Sequence, residues 1–181
     1  MRTLSLALLL TGISLTGFAQ QFGPAENLAP YIPTPQVVVE KMLEVAHVKQ
    51  GDVVYDLGSG DGRILFTAVQ EFGARAVGIE ILPDLCEKAR ERVHSMGLDE
   101  KIRIIQGSAL RVDLSPANVV TMYFLTGSNE RLRPTLEKWL KPGSRVVSNQ
   151  FPVKGWKPAD VAHVQDGSME HTIYVYVVGK K

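Results

Sequence analysis

Apolar residues along this chain switch repeatedly between a period near two and a period near 3.6. Val53-Val54-Tyr55-Asp56-Leu57 is a short β-branched and aromatic run behind the turn pair Gly51-Asp52, and it predicts a buried strand. Ile64, Leu65, Ala68, Val69 and Phe72 then recur at helical spacing, with Gly73 suited to the helix end. A second strand is predicted at 76–81. Leu82, Leu85, Cys86, Ala89, Val93 and Met96 follow as an amphipathic stripe, opened by Pro83 and closed by Gly97. Its charged residues read as a solvated face. Further strands are predicted at 102–106, 118–124 and 145–148. A short crossover at 107–116 joins the third strand to the fourth. A helix carrying Leu132, Leu136, Trp139 and Leu140 joins the fourth to the fifth, with Pro134 near its start or kinking it. Ahead of the first strand, Val38, Met42, Val45 and Ala46 predict a helix that Thr34 can cap and Pro35 can enter.

The tail follows another rule. Apolar runs at 161–164 and 172–178 are separated only by a polar, turn-rich segment too short for a crossover helix, so they should pair as an antiparallel hairpin. Strands alternating with helices and ending in such a hairpin predict an α/β fold. The expected architecture is a doubly wound, mostly parallel seven-stranded sheet with an antiparallel strand inserted near one edge. This pattern occupies 35–181 as one domain, and 20–34 reads as a linker broken by Pro24, Pro30 and Pro33. Residues 1–19 place Arg2 before an uncharged, leucine-rich run at 4–18 that ends in small residues, the pattern of a signal peptide or hydrophobic anchor. That segment predicts an exported, periplasmic or membrane-associated protein.

Chemistry concentrates where the first strand meets its helix, in Asp56-Leu57-Gly58-Ser59-Gly60-Asp61-Gly62-Arg63. A strand feeding a helix through such a loop is expected to leave unpaired backbone N–H groups at the helix N-terminus, and the glycines let a ligand approach closely. A dinucleotide fingerprint needs its third glycine at position 63, where this chain has Arg63. The second strand ends in Glu80, placed so that its carboxylate can accept hydrogen bonds from both hydroxyls of a ribose. An acid, a glycine loop and a second acid one strand later together point to a nucleoside-bearing ligand.

Charge and composition narrow the partners. A formal net charge of +1 argues against a nucleic-acid binder working through a broad basic face. Cys86 is the 1 cysteine, so an intrachain disulfide and a cysteine-rich metal site are excluded, and its place on an apolar stripe suits a small buried hydrophobe. The histidines at 47, 94, 163 and 171 show no metal-ligand spacing.

The sequence Asp56-x-Gly58-x-Gly60-x-Gly62 resembles motif I of the class I S-adenosylmethionine-dependent methyltransferases. Three further segments narrow the resemblance: Pro30-Tyr31-Ile32-Pro33-Thr34, Leu132-Arg133-Pro134 and Pro142-Gly143-Ser144-Arg145-Val146-Val147-Ser148. Together with the loop they resemble the protein-lysine methyltransferases that modify the ATP synthase c-subunit and the adenine nucleotide translocase, from about Pro30 to Trp156. The resemblance implies S-adenosylmethionine as cofactor and a lysine-bearing protein, such as a membrane protein, as acceptor; charge and the cysteine and histidine pattern add no nucleic acid and no metal. It places Asp56, Gly58, Ser59, Gly60, Gly62, Glu80, Ile81 and Ser108 at the cofactor. Ser108 stands where relatives carry an acid for the adenine amino group, so its hydroxyl would accept without charge assistance. The resemblance also implies that the 20–34 segment covers the site, its Pro30-Tyr31-Ile32-Pro33 stretch folding over cofactor and substrate, with Tyr31 and Tyr123 the candidates beside the transferring methyl group. Tyr31 offers cation–π attraction to a sulfonium or ammonium, or an apolar staple for the linker. Tyr123 contacts the acceptor or belongs to the core; Asn149 and Trp156 are weaker candidates. An Asp/Asn-Pro-Pro-aromatic motif, common in amine methyltransferases, is absent from the end of the fourth strand. Two rival readings share the cofactor half: a methyltransferase of small molecules, and an exported module without turnover. An exported location conflicts with the cytosolic supply of this cofactor.

Overall fold

The structure is a computed structural model and describes residues 26–179. Five parallel strands, β1 (Val53–Leu57), β2 (Arg75–Glu80), β3 (Ile102–Gln106), β4 (Val119–Met122) and β5 (Arg145–Asn149), are followed by the hairpin β6 (Asp160–Asp166) and β7 (Met169–Val177). The sheet order is β3-β2-β1-β4-β5-β7-β6. β7 runs antiparallel to both β5 and β6, which places the reversed strand inside the edge as the hairpin length required.

Helices α1 (Gln36–Val45), α2 (Arg63–Gln70) and α3 (Pro83–Ser95) cover one face, and α4 (Thr126–Trp139) covers the other. Strand parity explains the division. Val54, Val119, Val147 and Ile173 point to α1, while Tyr55, Leu57, Val120, Met122 and Val146 pack with Leu132 and Leu136 of α4. The β3–β4 connection carries no helix, and its Leu114 and Ala117 pack into the α4-side core.

Two local expectations are corrected. α4 begins at Thr126, well before the apolar spacing starts, because Asn129 rather than a hydrophobic residue is buried in its early part. Pro134 therefore sits inside the helix. Thr34 makes no capping bond; the N-cap of α1 is Pro35, whose carbonyl accepts the amides of Val38 and Val39. The described part of the 20–34 segment forms a strap. Leu28 is buried on the α4 side, whereas residue 36 already begins α1 on the opposite face, so residues 28–35 cross over the carboxyl ends of the strands.

The reading of an exported or membrane-associated protein is also corrected. Among the described residues no helix is long and apolar enough to cross a membrane. The hydrophobic run at 4–18 on which that reading rested, and with it the 1–19 signal or anchor segment, lies outside the described residues.

Candidate active site

The strap roofs a cleft of about 800 Å³, open mouth included, whose floor is the β1–α2 loop and the ends of β2 and β4. Asp56, Gly58, Ser59, Gly60, Glu80 and Ile81 line it from below, with Tyr31 above and Tyr123 at the end of β4. Two sequence candidates stand apart. Gly62 is the left-handed N-cap of α2 (φ 80°), packed against Phe66. Ser108 is buried, and its hydroxyl accepts the Leu110 amide at 3.3 Å within its own turn.

Ahead of α2, four amides of the glycine loop are engaged within the fold. The Gly58 and Ser59 amides both donate to the Ile79 carbonyl (2.8 and 3.1 Å), and Gly62 donates to the Ser59 carbonyl at 2.8 Å. Gly60 donates to Glu80 Oε2 at 2.8 Å. The physical reason is that β1 and β2 continue to pair past their formal ends, and Glu80 turns back under the loop. Glu80 Oε1 accepts the amides of Ile81 (2.8 Å) and Leu82 (2.9 Å). A carboxylate has about four acceptor positions, so one remains, on Oε2.

Asp56 is buried and accepts the Thr121 hydroxyl at 2.8 Å across the β1–β4 pair. Burial pushes its carboxyl up to about 7; the Thr121 bond opposes this, and the nearby carboxylates of Glu80 and Asp61 reinforce it. Asp61 behaves oppositely. Burial would raise it, but the Arg63 fork (Nε to Oδ1 3.0 Å, Nη2 to Oδ2 2.7 Å) holds it below the usual carboxylate range.

Several residues that shape the cleft carried no sequence signal. Arg63, read only as a missing glycine, also donates through Nη1 to the Thr34 carbonyl at 2.8 Å and so ties the strap to the loop. Two more ties hold the strap: Ser128 of α4 donates to the Leu28 carbonyl at 2.6 Å, and Arg111 pairs with Glu26 at 2.7 Å. The loop glycines make room for this chain's own aromatics. A Cβ on Gly60 would lie 2.5 Å from the Tyr31 ring, and one on Gly58 would lie 2.9 Å from Phe124. Gly78 inside β2 faces Ser59 and Leu65, where a Cβ would come within 2.6 Å of each. Each is a contact between segments distant in sequence, beyond the reach of periodicity.

A cleft at the carboxyl ends of parallel strands, floored by an acid, a glycine turn and a second acid, defines an S-adenosylmethionine-dependent methyltransferase of class I. The ANTKMT methyltransferase domain model matches residues 56–160, and the chain belongs to that family. A protein-lysine N-methyltransferase of Saccharolobus islandicus is 50% identical over 152 residues, covering 83% of this chain and 94% of that protein. The mouse adenine nucleotide translocase lysine N-methyltransferase is 32% identical over 80% of this chain; the match spans 62% of that longer protein, less than two thirds of its length. Among solved structures, an RNA methyltransferase from Salinibacter ruber in complex with S-adenosyl-L-homocysteine is 43% identical, with a TM-score of 0.77 over 83% of this chain and 95% of that one.

Proposed function

We propose that this chain methylates lysine side chains of a protein acceptor. One observation carries the choice of acceptor: the protein-lysine N-methyltransferase of Saccharolobus islandicus is 50% identical to this chain and matches it over 94% of its own length. A formal net charge of +1 leaves no broad excess of Lys and Arg for the phosphate backbone of a nucleic-acid acceptor. A membrane-protein acceptor belongs to the proposal.

The donor set fits the cofactor. The free position on Glu80 suits a ribose hydroxyl, and the Asp56 carboxylate suits the α-ammonium of the methionine end. Gly58, Gly60 and Ile81 complete the floor. When bound, S-adenosylmethionine supplies a methyl carbon on a sulfonium whose departure leaves a neutral thioether. The chain's own task is placement. Tyr31 and Tyr123 flank the open end, exclude water and lower the acceptor's pKa by desolvation, so the entering ammonium sheds its proton to water at the mouth before transfer. Alignment of nucleophile and electrophile supplies up to roughly 7–11 kcal/mol, which makes a dedicated base unnecessary. The proton released by the methylated amine passes to water at the mouth.

Incubating the full chain with methyl-tritiated S-adenosylmethionine and a cell extract containing soluble, membrane and RNA fractions tests this. Protease-sensitive label recovered as methyl-lysine is expected. Ribonuclease-sensitive label would favour the RNA acceptor suggested by the Salinibacter ruber relative, and label confined to small molecules would favour a metabolite acceptor. Failure to label anything, together with no cofactor binding, would make the chain a non-catalytic module.

A further inference from the structure

Just past β5 the backbone does something L residues rarely do. Gln150 has φ 63°, one of two non-glycine residues with positive φ among those described. Such a conformation survives only where its surroundings over-determine it, and here they do. The Gln150 amide donates to the Thr172 carbonyl at 2.7 Å. Its side chain reaches the same strand at both ends: Nε2 donates to the Glu170 carbonyl at 3.1 Å, and Oε1 accepts the Thr172 amide at 3.0 Å. The next residue is pinned as firmly. The Phe151 carbonyl accepts the Ser148 hydroxyl at 2.6 Å and Asn129 Nδ2 at 2.9 Å, and its amide donates to the Asn149 carbonyl at 2.8 Å. Ser148 and Asn129 are fully buried, so these bonds form away from competing water.

All this restraint has one outcome directed at the cleft. The Phe151 ring stacks on Tyr123, with centroids 6.2 Å apart and planes 19° apart. Phe151 itself does not line the cleft; Tyr123 does.

Resting on the lysine-acceptor reading, we propose that Phe151 is a positioning residue for acceptor entry. The left-handed turn at Gln150 holds its ring as the back wall that sets the plane of Tyr123, and the Tyr123 face then guides the incoming alkylammonium. Strain is placed at Gln150 because an unstrained turn would carry Phe151 away from β4. The substrate class follows: an unbranched primary or partly methylated alkylamine, slender enough to pass along an aromatic face.

The test separates acceptor from cofactor. Wild type, Phe151→Leu, Phe151→Tyr and Gln150→Gly are assayed as full chains with tritiated S-adenosylmethionine and graded amounts of the extract, and cofactor affinity is measured by calorimetry. Phe151→Leu is expected to raise the half-saturating extract concentration about fivefold, the loss of one aromatic contact, with cofactor Kd within about twofold of wild type. Phe151→Tyr keeps the ring and restores wild-type behaviour. Gln150→Gly keeps the left-handed turn but deletes the side chain's two bonds to β7, so acceptor use falls while cofactor Kd stays within about twofold of wild type. Unchanged acceptor dependence in Phe151→Leu, or a parallel loss of cofactor affinity, overturns the proposal. Wild type that yields no methyl-lysine overturns the acceptor reading first, a result distinguishable because it appears before any variant is compared, and the proposal falls with it.

Discussion

Glu80 Oε2 accepts the amide hydrogen of Gly60 at 2.8 Å, joining the terminal acid of β2 to the middle of the glycine loop. The same carboxylate bonds the amides of Ile81 and Leu82, so it braces the floor of the cleft before any ligand arrives. Glu80→Ala would leave three buried or half-buried donors without their acceptor. We expect stability to drop by roughly 1–3 kcal/mol, read in denaturant unfolding. Calorimetry should show S-adenosylmethionine affinity falling at least about tenfold, with Glu80→Gln intermediate because one carbonyl acceptor survives. Affinity untouched in Glu80→Ala would remove the ribose from this position.

Asp56 gives a pH signature. Its folded pKa is raised from 3.8 to about 7, chiefly by burial, so the folded state holds a proton that the unfolded state has released. The native chain therefore binds more protons between those values, and this group's contribution to stability is present at low pH and lost as pH rises through about 7. Asp56→Asn should flatten that decline in the ligand-free protein. It should also abolish the rise in cofactor affinity expected as wild-type Asp56 ionises. Thermal unfolding and calorimetry across pH 5 to 8.5, with the variant showing the same slopes as wild type, would refute it.

Arg63 joins strap and loop through one guanidinium. Arg63→Met keeps the aliphatic stem but loses the fork to Asp61 and the bond to the Thr34 carbonyl. Amide hydrogen exchange in residues 28–34 should accelerate while the core strands stay protected. Cofactor dissociation should quicken several-fold. Unchanged exchange in the strap would mean that Ser128 and Arg111 hold it unaided.

Gly78 lies mid-strand, where glycine is ordinarily unfavourable. Gly78→Ala would set a methyl 2.6 Å from both Ser59 Oγ and Leu65 Cδ1, pressing the loop and α2 off β2. We expect a loss of roughly 1–3 kcal/mol, measured by urea unfolding. Gly97→Ala is the useful contrast. A Cβ there meets nothing within 4 Å, leaving only the strain of its positive φ (65°), so its loss should be the smaller.

The strand and helix order, the reversed hairpin and the acid–glycine–acid pattern of the cleft were legible because they are local. A two-residue or 3.6-residue apolar period reports which face of one element is buried, and a hairpin too short for a crossover admits one direction of pairing. The resemblance carried by the motifs at 30–34 and 56–63 likewise rested on contiguous residues. Tertiary structure alone decided what fills and closes the site. Arg63 holds the carbonyl of Thr34, Tyr31 covers Gly60, Phe124 covers Gly58, Ser59 sits against Gly78, and Asn129 pins a turn 22 residues away. Each pairs segments that meet only after the sheet has formed, so neither partner's neighbours in sequence mark it. The loop amides show the difference best. Nothing local marks the acceptors of the Gly58, Ser59 and Gly60 amides, which are a carbonyl and a carboxylate from β2.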